Sequence, residues 1–218
     1  MLISALSLLL ATQVSPSIAV QDRPRDIWAF RSVLDSRARM LTLALHDKLW
    51  VAYDATNCGL YQAWTGGVKF DGAVYTTVHG PQPTAIGDVR LPGIVDKPVW
   101  SLVGSVGRPK PIEFKGYTIK GNKIALQYRF RVGVSREVWI YESPEVISKG
   151  ETEVELQRTF EVKGLNFGEE VKLATSLPKV GVGTFTTTGT LTRTEGKENE
   201  GVLALRNGAT TFLCTLPT

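Results

Sequence analysis

Cysteine, histidine and long apolar runs are scarce in this chain of 218 residues, and each scarcity excludes a class of protein. Two cysteines are too few for a disulfide-rich scaffold or for a metal site built from four thiolates. The two histidines, His46 and His79, do not lie at metal-ligand spacing from each other or from a cysteine, so no metal site is predicted. No apolar run approaches the roughly 20 residues of a membrane-spanning helix, so we expect no membrane span in the mature chain.

Charge is also modest, with 25 Lys+Arg against 21 Asp+Glu and a formal net charge of +4. Basic residues do not form a run with interleaved aromatics, so nucleic-acid binding is not predicted. The sequence lacks the signatures of a nucleophile elbow, a phosphate-binding loop, a dinucleotide-binding fold and a c-type haem attachment site. We therefore expect no cofactor.

The N-terminus resembles a secretory signal in length and composition. Residues 2–11 form an apolar stretch of the right size, although no Lys or Arg precedes it. Ser17 and Ala19 place small residues at the −3 and −1 positions of a cleavage site. The pattern predicts a signal peptide over 1–19 and export of 20–218 to the periplasm or the extracellular space; the alternative is a buried N-terminal strand or helix.

Export would place Cys58 and Cys214 in an oxidising compartment, where two thiols can form a disulfide. Such a bridge would tie the first strands to the last. The alternative is a pair of small buried thiols.

Alternating apolar and polar residues predict many β-strands. In 124–132 every second residue from Ile124 to Val132 is apolar, which is the period of a half-buried strand. Similar strands are predicted at 41–46, 48–54, 112–119, 136–142, 153–163, 169–175, 182–194, 201–206 and 209–216. Helical periodicity is weak, with a turn or two at 26–34. These elements predict an all-β, antiparallel β-sandwich over 20–218, or a larger mutarotase-like supersandwich, with at most one or two short helices.

The stretch 80–111 holds six of the eleven prolines and several glycines. It predicts a long irregular connection, with a strand at 99–103, of the kind that often carries function.

Two charged residues fall on apolar strand faces. Arg158 shares a face with Leu156 and Phe160, and Glu142 shares one with Ile140. An unpaired buried charge is very costly, so Arg158 is predicted to form an ion pair with Glu142 or Glu145. A structural role is favoured over a substrate clamp.

Aromatic and polar residues are dense between 49 and 83, where Gly66-Gly67 and Asp71-Gly72 mark turns. Aromatic rings beside carboxylate and amide groups suit a sugar, whose C–H faces stack while its hydroxyls form hydrogen bonds. The alternative is that these aromatic side chains fill the sandwich core. The ligand-binding residues that this pattern predicts are Trp64, Phe70, Asp71, Tyr75, His79 and Gln82.

Three strings in this region, Trp50–Asp54, Trp64–Gly72 and His79–Pro83, resemble the N-terminal β-rich region of large exported bacterial multidomain proteins that also carry a c-type cytochrome domain. The resemblance extends from about Pro24 to Thr175. It implies an exported setting and partnership with redox, dehydrogenase or glycan-handling modules. The present chain has no haem motif, so haem electron transfer is not carried over; we expect either a stand-alone version or part of a longer protein.

The sequence favours a binding or accessory module for carbohydrate or for a cytochrome or dehydrogenase partner. The alternative is a mutarotase-like or lyase-like enzyme acting on carbohydrate, in which His79 works with Asp71 or Glu142 as acid and base. A purely structural domain is the third hypothesis.

Overall fold

The computed structural model describes residues 27–47, 49–70, 80–148 and 152–218. Within these ranges the chain forms fifteen β-strands and no helix, and every pair of neighbouring strands is antiparallel. The same ranges contain no helix that is long and apolar enough to cross a membrane. The strands form three sheets in a sandwich-like arrangement, so the predicted all-β antiparallel sandwich is confirmed.

The first sheet is a five-stranded meander in which consecutive strands are neighbours. Its strands are β1 (Trp28–Leu34), β2 (Arg37–His46), β3 (Leu49–Asp54), β4 (Gly59–Lys69) and β5 (Thr84–Pro92).

The remaining strands build a six-stranded and a four-stranded sheet. The six-stranded sheet, in the order β12-β15-β10-β9-β8-β7, comprises β7 (Glu113–Lys120), β8 (Lys123–Val132), β9 (Arg136–Ser148), β10 (Glu153–Lys163), β12 (Thr184–Thr187) and β15 (Gly208–Pro217). The four-stranded sheet, in the order β13-β14-β11-β6, comprises β6 (Trp100–Val103), β11 (Glu170–Ser176), β13 (Thr190–Arg193) and β14 (Glu200–Leu205).

One apolar core joins all three sheets, because both smaller sheets contribute buried residues to the inner face of the six-stranded sheet. From the four-stranded sheet, Trp100 packs against Tyr128 and Phe160 with ring centroids 5.6 and 6.0 Å apart. From the five-stranded sheet, Arg31 lies over the ring of Phe114 at 5.8 Å. The opposite side of the six-stranded sheet therefore remains an open surface, which we call the outer face.

Three predicted elements are wrong in the structure. The turn of helix at 26–34 is strand β1, because pairing with β2 overrides the weak helical periodicity. The irregular connection at 80–111 contains the nine-residue strand β5 in addition to the strand near 99–103. The single strand at 182–194 is divided near Gly189, so that β12 joins the six-stranded sheet and β13 joins the four-stranded sheet.

A close approach of two glycines makes the pairing of β4 with β5 possible. Gly66 and Gly87 face each other, with φ of 123° and 107°. A Cβ atom on Gly66 would lie 2.2 Å from the carbonyl oxygen of Ile86, and one on Gly87 would lie 2.0 Å from that of Thr65. Only residues without a Cβ atom fit this crossing.

We expect Gly66→Ala to lower the free energy of unfolding by about 2 kcal/mol or more, since the new methyl group meets backbone at an unfavourable φ. Gly121→Ala is the matched control: Gly121 also has positive φ, but a Cβ atom added there would have nothing within 4 Å. The control is expected to lose about 1 kcal/mol. Urea unfolding measures both changes, and equal losses would show that the contact between β4 and β5 imposes no steric constraint.

Candidate functional site

Trp64 is fully buried, so the prediction that it forms an exposed ligand platform is wrong. Its indole Nε1 donates a hydrogen bond to the Gly67 carbonyl at 2.9 Å, and its ring stacks on Trp50 at 6.1 Å. The five-stranded sheet is apolar on both faces, and Trp64 belongs to a second cluster on the face opposite the main core. Packing between strands, rather than display at a loop tip, therefore determines its position.

The other predicted ligand-binding residues do not form a site among the described residues. Phe70 packs on Trp28 and Phe30, with ring centroids 6.2 and 5.2 Å apart, at the edge of the same second cluster. Gln82 is half-buried just before β5. Asp71, Tyr75 and His79 lie outside the described residues, so their roles stay predictions.

A buried polar network lies where the three sheets meet. Glu142 Oε1 accepts hydrogen bonds from the Tyr53 hydroxyl and from Arg158 Nε, both at 2.7 Å. Glu142 Oε2 accepts one from the Tyr128 hydroxyl at 3.0 Å. Arg158 Nη1 also donates to Thr175 Oγ1 at 3.2 Å. This is the ion pair that the strand pattern predicts, and its partners come from β3, β8, β9, β10 and β11.

Burial and pairing shift the pKa values of this network in consistent directions. Burial, together with the nearby Glu142 carboxylate, raises the pKa of Tyr53 and of Tyr128 well above the usual value. For Arg158, burial alone would lower the pKa, but the Glu142 carboxylate reverses this and raises it. The guanidinium group therefore stays charged and both phenols stay protonated donors.

Glu142 cannot serve as the acid or base of a sugar-acting enzyme, which corrects that alternative. The side chain is fully buried, and both of its carboxylate oxygens already accept hydrogen bonds. A substrate has no access to it. Its role is to hold the sheets together.

Both cysteines are free thiols, so the predicted bridge between Cys58 and Cys214 is absent from the structure. Burial raises the pKa of each thiol to about 12. Their alternative interpretation, as small buried core residues, is the one the structure supports. A thiolate nucleophile at either position is excluded near neutral pH.

A groove of about 680 Å³ lies between the three sheets, and we call it the sheet-junction groove. Its lining includes Trp100 of β6, Phe130 of β8 and Pro109, but both aromatic rings are buried and offer no open face. Among its charged groups, Asp96 binds Arg37 at 2.8 Å and Lys97 binds Glu200 at 3.1 Å, whereas Arg108 and Lys110 form no ion pair with a described residue. Because the groove has no open aromatic face, it lacks the stacking surface that a sugar needs.

An aromatic pair stands on the outer face of the six-stranded sheet. Trp139 and Tyr141 of β9 are half-exposed, with ring centroids 6.3 Å apart and planes within 17°. Trp139 Nε1 donates to Glu137 at 3.0 Å, and Arg129 lies 5.6 Å from the Trp139 ring. Lys163 lies 5.3 Å from the Tyr141 ring. These contacts hold both rings in place.

Ion pairs neutralise the carboxylates that border this aromatic pair. Arg129 donates to Glu137 and to Glu113, both at 2.7 Å. Hydrogen bonds from Arg129 and Arg131 lower the pKa of Glu113 to about 2. Glu113 is therefore ionised, and both carboxylates next to the rings are already bonded to arginine side chains.

Beyond Tyr141 the outer face carries neutral amide and hydroxyl groups, and beyond these lie the carboxylates of Glu145 and Glu155, which accept hydrogen bonds from Lys123 and Thr215. Gln127 lies opposite Tyr141, and Thr159 lies opposite both Ser143 and Thr211, while Gln157 is on the next row. All five residues are half-exposed, and their side chains make no hydrogen bond to any other residue that the structure describes. Their donors and acceptors are available to a ligand. The sequence analysis did not predict this site, because it considered aromatic residues near turns. The pattern that indicates the site is the position of Trp139 and Tyr141 on the outward-facing side of a strand.

Comparison with known proteins adds no assignment: no protein-family model matches the chain, and no curated protein matches it. Within the described ranges, no group of three or more His, Cys, Asp or Glu side chains is placed to hold a metal ion.

We expect Glu142→Gln to lower the free energy of unfolding by about 3–5 kcal/mol, because it leaves the buried Arg158 cation without its counter-charge while preserving the size of the side chain. The matched control is Glu161→Gln, which removes an exposed ion pair to Lys163 at 3.0 Å and is expected to cost less than about 1 kcal/mol. Chemical denaturation at pH 7 measures both, and similar small losses would contradict the central role of the network.

The buried thiols should make the protein less stable in alkali. In the unfolded chain a thiol ionises near pH 8.5, whereas Cys58 and Cys214 keep their protons to about pH 12 in the folded state. Because the unfolded state then binds fewer protons, the free energy of unfolding decreases as pH rises, by up to about 2.7 kcal/mol per pH unit for two thiols.

Denaturant unfolding between about pH 9 and 10 measures this slope. The variant Cys58→Ala/Cys214→Ala should lose most of it, whatever its stability at pH 7. An unchanged slope in that variant would show that the two buried thiols do not cause the loss of stability in alkali.

Proposed function

We propose that the protein is an exported carbohydrate-binding module, and that its binding site is the outer face of the six-stranded sheet. The observation that carries this proposal is the aromatic pair Trp139–Tyr141 beside half-exposed amide and hydroxyl groups that have no partner among the described residues. Sugar C–H groups stack on aromatic rings, and sugar hydroxyls pair with amides and hydroxyls.

The groups of the face that are not already bonded favour a neutral glycan. The five uncommitted side chains, Gln127, Ser143, Gln157, Thr159 and Thr211, carry no charge. They lie on strands β8, β9, β10 and β15, so they extend across the sheet instead of surrounding a pocket. A face of this shape suits the side of a polysaccharide chain better than its end.

The chemistry of the face supports binding rather than catalysis. A glycoside-cleaving acid needs a carboxyl group whose pKa is raised, so that it holds a proton near neutral pH. On this face Glu113 has a lowered pKa, and Glu137 and Glu161 are paired with Arg129 and Lys163. The carboxylates nearest the aromatic pair are therefore all bound by cations.

A second candidate is the docking of a partner polypeptide, such as a cytochrome or dehydrogenase module, in the sheet-junction groove. Strand β6 is an edge strand, and Ala174 N–H donates to the Val99 carbonyl at 2.7 Å. In an antiparallel ladder the main-chain groups of Trp100 and Leu102 then point away from β11, and both residues line the groove. A strand of a partner polypeptide can form hydrogen bonds with these main-chain N–H and C=O groups.

We expect the protein to bind neutral polysaccharides in a glycan screen. Trp139→Ala or Tyr141→Ala should weaken that binding about tenfold, which corresponds to about 1.4 kcal/mol. Isothermal titration calorimetry with the best glycan measures the loss. Phe167→Ala is the matched control, since it removes a fully exposed aromatic side chain that lies in a loop outside this face.

Thermal unfolding should show that all three variants fold. Unchanged affinity in both Trp139→Ala and Tyr141→Ala would overturn the assignment of the site. If the wild-type protein bound no glycan at all, the carbohydrate function itself would be wrong and partner docking would become the better proposal.

A further inference from the structure

Four loops meet at one end of the sandwich, and we call this surface the loop end. They are 104–112, 133–135, 164–169 and 206–207. A Cβ atom on Gly104 would lie 2.4 Å from the Gly168 carbonyl oxygen, and one on Gly107 would lie 3.6 Å from Val132, which adjoins the second loop. The fourth loop is held by Asn207, which bonds both the N–H and the carbonyl of Leu165.

Each of the first three loops presents one large apolar side chain to solvent. The relative exposures are 95% for Val106, 106% for Val134 and 107% for Phe167, the highest among the large hydrophobic residues in the described ranges. Single exposed apolar residues are common on protein surfaces. Here three such residues project separately from loops that meet, so one end of the sandwich carries three exposed apolar tips.

The loop end is also positively charged. It carries three exposed cations, Arg108, Lys110 and Arg206. Arg206 lies 3.6 Å from Glu170, whereas Arg108 and Lys110 form no ion pair with any residue of the described chain. The only carboxylate within these loops, Glu169, is buried and bound to Arg136 at 2.6 Å. No exposed carboxylate in these loops therefore opposes an anionic partner.

From this combination we propose that the loop end docks the protein peripherally on a bilayer that contains anionic phospholipid. Val106, Val134 and Phe167 enter the boundary between headgroups and acyl chains, while Arg108 and Lys110 contact lipid phosphates. Apolar insertion and attraction to anionic lipid reinforce each other at membrane surfaces. The proposal is independent of carbohydrate binding, because it uses none of the residues of the outer face.

A lipid surface fits these loops better than an apolar groove on another protein. The three apolar side chains project from separate loops, and a fluid lipid surface can accept such separate groups without having a complementary shape. The cations that lack an ion-pair partner can in addition bind lipid phosphate groups. The contacts between the loops hold the three tips together as one docking surface.

The test is sedimentation of the protein with two kinds of vesicle, one of phosphatidylcholine alone and one with phosphatidylserine added. We expect binding to the anionic vesicles at low salt and at least tenfold weaker binding to the neutral ones. The variant Val106→Ser/Val134→Ser/Phe167→Ser should weaken binding to anionic vesicles at least tenfold. Its thermal unfolding should be unchanged, because all three side chains are exposed.

The matched control is Val180→Ser/Val182→Ser. These residues are also exposed, at 65% and 55%, but they follow the far end of β11, opposite the loop end. The control should bind vesicles as the wild type does. Arg108→Gln/Lys110→Gln should weaken binding to the anionic vesicles and reduce its dependence on salt.

Wild-type protein that sediments with neither vesicle would overturn the proposal, and the loop end would then be assigned to a protein contact. Equal binding by the wild type and the triple serine variant would overturn it as well. Glycan binding should be the same in the triple variant and the wild type, so failure of this proposal and failure of the carbohydrate proposal are distinguishable.

Discussion

The Glu142 carboxylate is the group on which the arrangement of the three sheets depends. It lies in the six-stranded sheet and accepts a hydrogen bond from Tyr53 of the five-stranded sheet. Its cationic partner, Arg158, reaches Thr175 of the four-stranded sheet. A buried charge without these partners would cost several kcal/mol, so the sheets must meet in the one alignment that supplies them. Apolar packing alone is not directional and does not impose that alignment.

The same network explains why the two proposed binding surfaces lie outside the core. The inner face of the six-stranded sheet is occupied by apolar side chains and by Glu142 and Arg158 with their partners. Strand β9 shows the division most clearly: Val138, Ile140 and Glu142 point inward, while Trp139 and Tyr141 point outward. A strand anchored by a buried ion pair gives its outward side chains a rigid base, which lowers the entropy lost on binding.

The two proposed surfaces are neighbours on this frame. Trp139 lies only a few residues beyond the loop 133–135, so the aromatic pair begins close to the loop end. In the proposed arrangement, a module that docks on a bilayer through Val106, Val134 and Phe167 presents its outer face to the side, next to the lipid surface. The glycan and the lipid then bind to different residues and do not compete.

The sequence by itself determined the strands whose alternation is strong, and with them the inward placement of Glu142 and Arg158. The alternation of side chains between the two faces of a strand is a local property of the chain. Once 136–142 and 153–163 are strands with apolar residues on one face, each charge on that face must be buried and paired. Only the tertiary structure decided which faces are covered and which loops meet. Trp64 is buried because the five-stranded sheet is apolar on both sides, and the loops that carry Val106, Val134 and Phe167 meet because strand pairing brings them to one end. Both facts depend on contacts between residues far apart in the chain, and local patterns of residues do not specify such contacts.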